Sequence, residues 1–313
     1  MFNISGRTWD AIVALLLCHL PNLETFRVET YSDDRQHARD GIRGFEFILR
    51  VLKSSKVDRR QIMLPKLRNV NLKFTNSLHR KRLQQTLLSD LPSLKTFHYE
   101  VFRNMDQHRP SSRRSREVGL SLRHVRKMLL TDSEYSLEEL SIVVRYVSAQ
   151  AGHAPLGSLS SLTKLRYIRA SAHVLIGKPT LASNSYLRTP WEVAQEGFYS
   201  PLQEENFYDS LPNSIEALIL IDCPNAMYGC IKRLLQSSHS LQRLKRIELG
   251  YTYPWPHQED WRLGKMSEWL SGVNFDWCGM FPGENWATKK ELEDLALQRG
   301  IVLVQKMDEC YMN

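Results

Sequence analysis

One short phrase recurs seven times along this chain: an apolar residue, two variable positions, a second apolar residue, one variable position, a third apolar residue. It reads Leu23-x-x-Phe26-x-Val28, Leu67-x-x-Val70-x-Leu72, Leu94-x-x-Phe97-x-Tyr99, Leu137-x-x-Leu140-x-Ile142, Leu165-x-x-Ile168-x-Ala170, Ile215-x-x-Leu218-x-Leu220 and Leu244-x-x-Ile247-x-Leu249. The last two apolar slots are two residues apart, the period of a strand, so both side chains fall on one face and the residue between them on the other. A phrase repeated at this scale decides architecture before any single residue does, because each copy has only its neighbours against which to bury its apolar side.

The steps between first slots are 44, 27, 43, 28, 50 and 29 residues, long and short alternating, with successive pairs totalling 71, 71 and 79. The short steps hold one strand and one helix, and the long ones need an added loop or an extra helical turn. Leu-Pro precedes four copies, at Leu20-Pro21, Leu64-Pro65, Leu91-Pro92 and Leu211-Pro212. Proline lacks the amide donor and pushes the residue before it out of the helical region, so each Leu-Pro stops a helix just ahead of a strand.

Between the strands the apolar spacing turns helical. Such segments are Thr8–His19, Ile42–Leu52, Leu78–Leu88, Leu120–Leu130, Ala226–Leu235 and Thr288–Gln298, the last followed by a strand at Ile301–Val304. The phrase resembles that of a leucine-rich repeat. The expected fold is therefore α/β: a leucine-rich-repeat-like solenoid with a curved, mainly parallel sheet and outer helices over residues 1–253, and an aromatic-rich C-terminal cap over 254–313. The cap is read from five of the seven tryptophans (Trp255, Trp261, Trp269, Trp277, Trp286) crowding one region with Tyr251, Tyr253, Phe275 and Phe281. Aromatic rings gathered after the last well-formed strand suit an element that shields the open end of a stack.

No Gly/Ser-rich linker divides the 313 residues. The run Ala11–Cys18 is too short to span a bilayer and lacks the flanks of a signal peptide, so it reads as the buried face of a first helix. The chain thus opens inside the repeat pattern without a polar N-terminal cap, which leads us to expect an upstream segment or a partner over that end. Five cysteines, an odd number without C-x-x-C, point to a reduced intracellular compartment, cytoplasm or nucleus. A net charge of +8 favours acidic partners without specifying nucleic acid.

Catalytic spacing is missing: there is no H-E-x-x-H or G-x-S-x-G, and Gly152 with Gly157 makes no phosphate loop. Asp222-Cys223 follows a strand and reads as a buried structural pair. No enzyme activity, metal or cofactor is expected. The useful residues are those between the apolar slots and beside them. Arg27, Asn71, Lys73, His98, Ser141, Tyr167, Arg169 and Glu248 are the candidate protein-binding residues on the concave strand face, with Arg27, Tyr167 and Arg169 foremost because Arg and Tyr dominate interface energetics. Flanking positions are Thr25, Glu29, Asn69, Thr96, Glu100, Ser171 and Arg246, with Ile219 in the same row. Two alternatives stay open: an enzyme with its site in the aromatic C-terminal element, and a nucleic-acid binder using the basic loop Arg103–Arg116 and His79-Arg-Lys-Arg82.

Several segments carry a closer likeness. Leu15-Leu-Leu-x-x-Leu-Pro-Asn-Leu-Glu-Thr-Phe26, Ser136-Leu-Glu-Glu-Leu-Ser-Ile142, Leu159-x-x-Leu162-x-Lys-Leu-Arg-Tyr-Ile168, Leu175-Ile-Gly177 and Leu211–Cys223, with Leu234-Leu235 and Leu244–Leu249, are similar to the leucine-rich region of fungal F-box proteins. The resemblance covers roughly residues 10–251. It implies a substrate receptor of a cullin-based ubiquitin ligase, with the repeat surface holding a protein substrate. The F-box itself is not visible, so a Skp-type adaptor is expected as a partner only if an F-box lies upstream.

Overall fold

The computed structural model describes residues 19–20, 22–30, 66–74, 93–101, 125–126, 129, 136–144, 155–177, 200–224, 227–237, 241–251 and 285–307. Eight strands form one open sheet: β1 (Thr25–Thr30), β2 (Asn69–Phe74), β3 (Thr96–Val101), β4 (Glu139–Val144), β5 (Tyr167–Ser171), β6 (Ala217–Cys223), β7 (Arg246–Tyr251) and β8 (Val302–Met307). Every pairing is parallel and the spatial order equals the chain order.

The register is the one the repeated phrase dictates. Phe26, Val70, Phe97, Leu140, Ile168, Leu218 and Ile247 pair in one continuous row, which Leu303 of β8 extends. The seven residues of β1–β7 in this row and the first-slot Leu67, Leu94, Leu137, Leu165, Ile215 and Leu244 belong to a single hydrophobic core, against which Leu303 packs. A slip of one residue would carry each such row to the opposite face, so burial of the apolar rows fixes the pairing.

Helices α1 (Ala172–Leu175), α2 (Pro201–Ser210), α3 (Met227–Gln236) and α4 (Asn285–Gln298) complete the described elements. Phe207 of α2, Ile231 and Leu234 of α3, and Leu292 and Ala296 of α4 join the same core as the strands. α2 packs on α3 and α3 on α4, so this end of the molecule has a helical layer over one face of the sheet. The helices expected at 226–235 and 288–298 are found within a few residues of their bounds, and Val125, Arg126 and Leu129 are helical within the segment expected at 120–130. The helices expected at 8–19, 42–52 and 78–88 lie essentially outside the described residues.

Both ends of α2 and the C-terminal end of α4 have identifiable causes. α2 starts at a capping box, in which Ser200 Oγ accepts from the Gln203 amide and the Gln203 side chain accepts from the Ser200 amide, with Pro201 at the first helical position. Its surface is nearly all polar, which is why apolar spacing did not reveal it. It ends where Leu211-Pro212 predicts, Leu211 being extended. α4 ends at Gly300 (φ 67), with the Gly300 amide donating to Leu297 O and the Ile301 amide to Ala296 O. This is a left-handed glycine termination in which buried Ile301 and Ala296 accompany the 6→1 bond.

Candidate protein-binding face

The register sorts the side chains of the second sheet face into three rows. The first runs Thr25, Asn69, Thr96, Glu139, Tyr167, Ala217, Arg246, and the middle one Arg27, Asn71, His98, Ser141, Arg169, Ile219, Glu248. The third runs Glu29, Lys73, Glu100, Val143 over β1–β4, and Ser171 pairs with Ile221 across β5 and β6. Six of the eight residues expected to bind share the middle row, while Tyr167 stands in the first and Lys73 in the third. The repeat therefore gathers all eight on one face, as alternation along a strand requires.

Charges on this face are mostly neutralised within it. Arg27 Nε donates to Glu29 Oε1 at 2.9 Å, Lys73 Nζ stands 4.0 Å from Glu100 Oε2, and Arg246 Nε donates to Glu248 Oε1 at 3.1 Å. His98 Nε2 lies 3.8 Å from Glu139 Oε2. Burial lowers the pKa of His98 and outweighs the opposing carboxylate of Glu139, so the ring is neutral at neutral pH. Burial likewise raises the Tyr167 pKa and keeps its hydroxyl protonated.

Two expected contact residues require correction. Ser141 is 3% exposed and Glu248 7%, so neither presents its side chain freely. Ser141 has the shortest side chain in its row and sits between His98 and Arg169 on the neighbouring strands. The Glu248 carboxylate is held by the longer Arg246 two residues earlier. Val143, Ser171 and Ile221 are buried too, although Val143 and Ile221 stand apart from the main core. The face is thus not bare from end to end: the described part is accessible over β1–β3 and closes toward the C-terminal ends of β4–β6.

At that closed end Ser171 links three strands. Its Oγ accepts from the Val144 amide at 3.1 Å and donates to Asp222 Oδ2 at 2.9 Å. Asp222 holds a left-handed backbone (φ 52) where the β6–β7 register shifts between Leu220 and Cys223. The Asp222-Cys223 pair is therefore structural, with Cys223 buried in the core.

A fourth row was missed from the sequence, yet it is written there. The residue after the first apolar slot is charged in every copy: Glu24, Arg68, Lys95, Glu138, Arg166, Glu216 and Lys245. In the first six copies its carbonyl accepts two amides from the next copy, as when Glu138 O takes the Arg166 amide at 2.9 Å and the Tyr167 amide at 3.2 Å. Along this row Lys95 Nζ meets Glu138 Oε1 at 2.7 Å, Arg166 binds Glu216, and Lys245 Nζ lies 3.5 Å from Glu216 Oε2. The hydrogen bond from Lys95 lowers the Glu138 pKa, and that from Arg166 lowers the Glu216 pKa.

The aromatic region 254–284, the basic loop Arg103–Arg116 and His79–Arg82 lie outside the described residues. Among the described residues no group of three His, Cys, Asp or Glu is placed to hold a metal ion, and no helix is long and apolar enough to cross a membrane. Compared with models of protein families, with curated proteins and with solved structures, the chain matches none.

Proposed function

We propose that this protein is a non-catalytic interaction scaffold of leucine-rich-repeat type, a curved solenoid that grips a protein partner on the polar face of its sheet. The observation that carries the reading is the conjunction of strictly sequential parallel strands with a phrase that recurs in register, which sends aliphatic residues to one face and Arg27, Asn71, Lys73, His98, Tyr167 and Arg169 to the other. Such an arrangement builds breadth of surface rather than a cavity, and breadth suits macromolecular recognition. The resemblance of the repeat segments to fungal F-box proteins extends the proposal: the face holds the substrate of a ubiquitin ligase, and a Skp-type adaptor joins where an F-box accompanies the repeats.

The test is capture of cellular proteins by the immobilised full chain beside variants carrying Arg27→Glu with Lys73→Glu. A partner kept by the parent and lost by the variant, with unchanged circular dichroism, supports the reading. Identical capture by both counts against it. Binding of a purified Skp-type adaptor tests the ligase extension separately.

A further inference from the structure

Among the cations of the polar sheet face whose side chains are described, Arg27, Lys73 and Arg246 each have a carboxylate within 4.0 Å and Arg169 has none. Arg169 lies at the centre of the ribbon on β5, half-buried, directly across from Ser141 on β4. Tyr167 stands two residues before it on the same strand, across from Glu139. The Tyr167 hydroxyl has no hydrogen-bond partner among the described residues. Two donor side chains with unused capacity thus share one small patch beside β4, while the charges around them are already paired.

We propose, building on the interaction-scaffold reading above, that Tyr167 and Arg169 form a subsite for a carboxylate of a polypeptide ligand, either an acidic side chain or a free C-terminus. A guanidinium offers two parallel N–H donors that match the two oxygens of a carboxylate. The Tyr167 hydroxyl can supply a further bond. The subsite holds one full positive charge, and Glu139 stands next to it with its carboxylate turned toward His98. That balance suits a monoanion and disfavours a phosphate dianion, which would meet one cation and one carboxylate. His98 adds no charge here, since burial keeps it neutral.

Peptides displayed in two formats, internal and with a free C-terminus, are selected on the full chain. Enriched sequences are then measured as synthetic peptides by fluorescence anisotropy. The subsite predicts that enrichment follows Asp, Glu or the terminal carboxylate. Amidation, or Asp/Glu→Asn/Gln in the peptide, then weakens binding roughly ten- to hundred-fold, the range for losing a charge-assisted pair. Arg169→Gln reproduces that loss and abolishes the preference for acid over amide, whereas Arg27→Gln leaves the preference intact. Glu139→Gln tightens binding by removing repulsion. The two peptide formats tell the side chain from the C-terminus.

Selection of phosphopeptides over their Glu counterparts overturns the carboxylate assignment. Binding that survives Arg169→Gln but is lost with Arg27→Glu and Lys73→Glu overturns the subsite and leaves the scaffold reading standing. Binding indifferent to all of these substitutions, or no enrichment in either format, overturns both.

Discussion

Arg166 holds Glu216 with two hydrogen bonds, Nε to Oε1 at 2.7 Å and Nη2 to Oε2 at 3.0 Å, across an interval of fifty residues in the chain. The pair bridges the longest gap between copies, and it occupies the same slot in two successive repeats. Arg166 is exposed and Glu216 partly so, and water screens the bond, which adds little to stability. Its value lies in register, because a shift of β6 by one residue would face Arg166 with Ile215 or Ala217. Arg166→Glu is expected to lower the melting temperature slightly in dilute buffer and not at all in high salt. The double change Arg166→Glu with Glu216→Arg should restore the melt only in part, because it places a cation beside Lys245, and thermal unfolding by circular dichroism will read the difference.

The depressed carboxylates of the same row give a pH dependence with a definite sign. Glu138 and Glu216 have folded pKa values below their unfolded ones, so their contribution is present above the ordinary glutamate range and fades as pH falls through the folded values. His98 acts in the same direction at milder acidity. Its folded pKa is lowered, so the unfolded chain takes up a proton first and stability drops as pH falls through the ordinary histidine range. A His98→Gln variant should lose less stability than the parent between neutral and mildly acidic buffer, measured by urea unfolding.

Ile168 and Arg169 are adjacent in sequence and opposite in consequence. Ile168 is fully buried, and Ile168→Ala should cost about 2–5 kcal/mol. Arg169→Gln removes no internal bond and should stay within about 0.5 kcal/mol of the parent. Equal effects in urea unfolding would mean that the two faces have been assigned wrongly.

Arg299 follows α4 and donates from Nη1 to Leu234 O, Leu235 O and Ser237 O at 3.0, 3.2 and 3.0 Å, closing the C-terminal end of α3. A cation there satisfies orphan carbonyls and complements the helix dipole. Arg299→Ala should cost about 1.5–3 kcal/mol, and Arg299→Lys should recover only part of it. Amide hydrogen exchange should locate the loosening at the end of α3.

Cys230 is buried in α3 and its thiol is pushed up to about 12, chiefly by desolvation. Cys223 is buried in the core as well. Neither should react with a neutral-pH alkylating reagent until the chain unfolds, which mass mapping of labelled cysteines will follow against denaturant.

Much of the strand layer was readable because its signal is local and redundant: three apolar slots in each copy leave one register that buries them all. The charged row after the first slot is equally legible, since the same position is charged in all seven copies. α2 escaped this reading. Only Phe207 and Ser210 of its side chains are buried, so its start is declared by Ser200, Pro201 and Gln203 rather than by periodicity. The burial of Ser141, Glu248 and Ser171 was not legible, since strand alternation says which way a side chain points and nothing about what lies over it. That depends on residues far away in the chain.

The one-to-one order of strands has a metric consequence. Side chains in one row recur at the inter-strand distance of about 4.8 Å, whereas an extended peptide advances about 3.3 Å per residue. Three residues of such a peptide therefore match two strand intervals. A ligand crossing the ribbon comes back into step after three residues, and because its side chains alternate it offers the same face in step only after about six, like a vernier read against its scale.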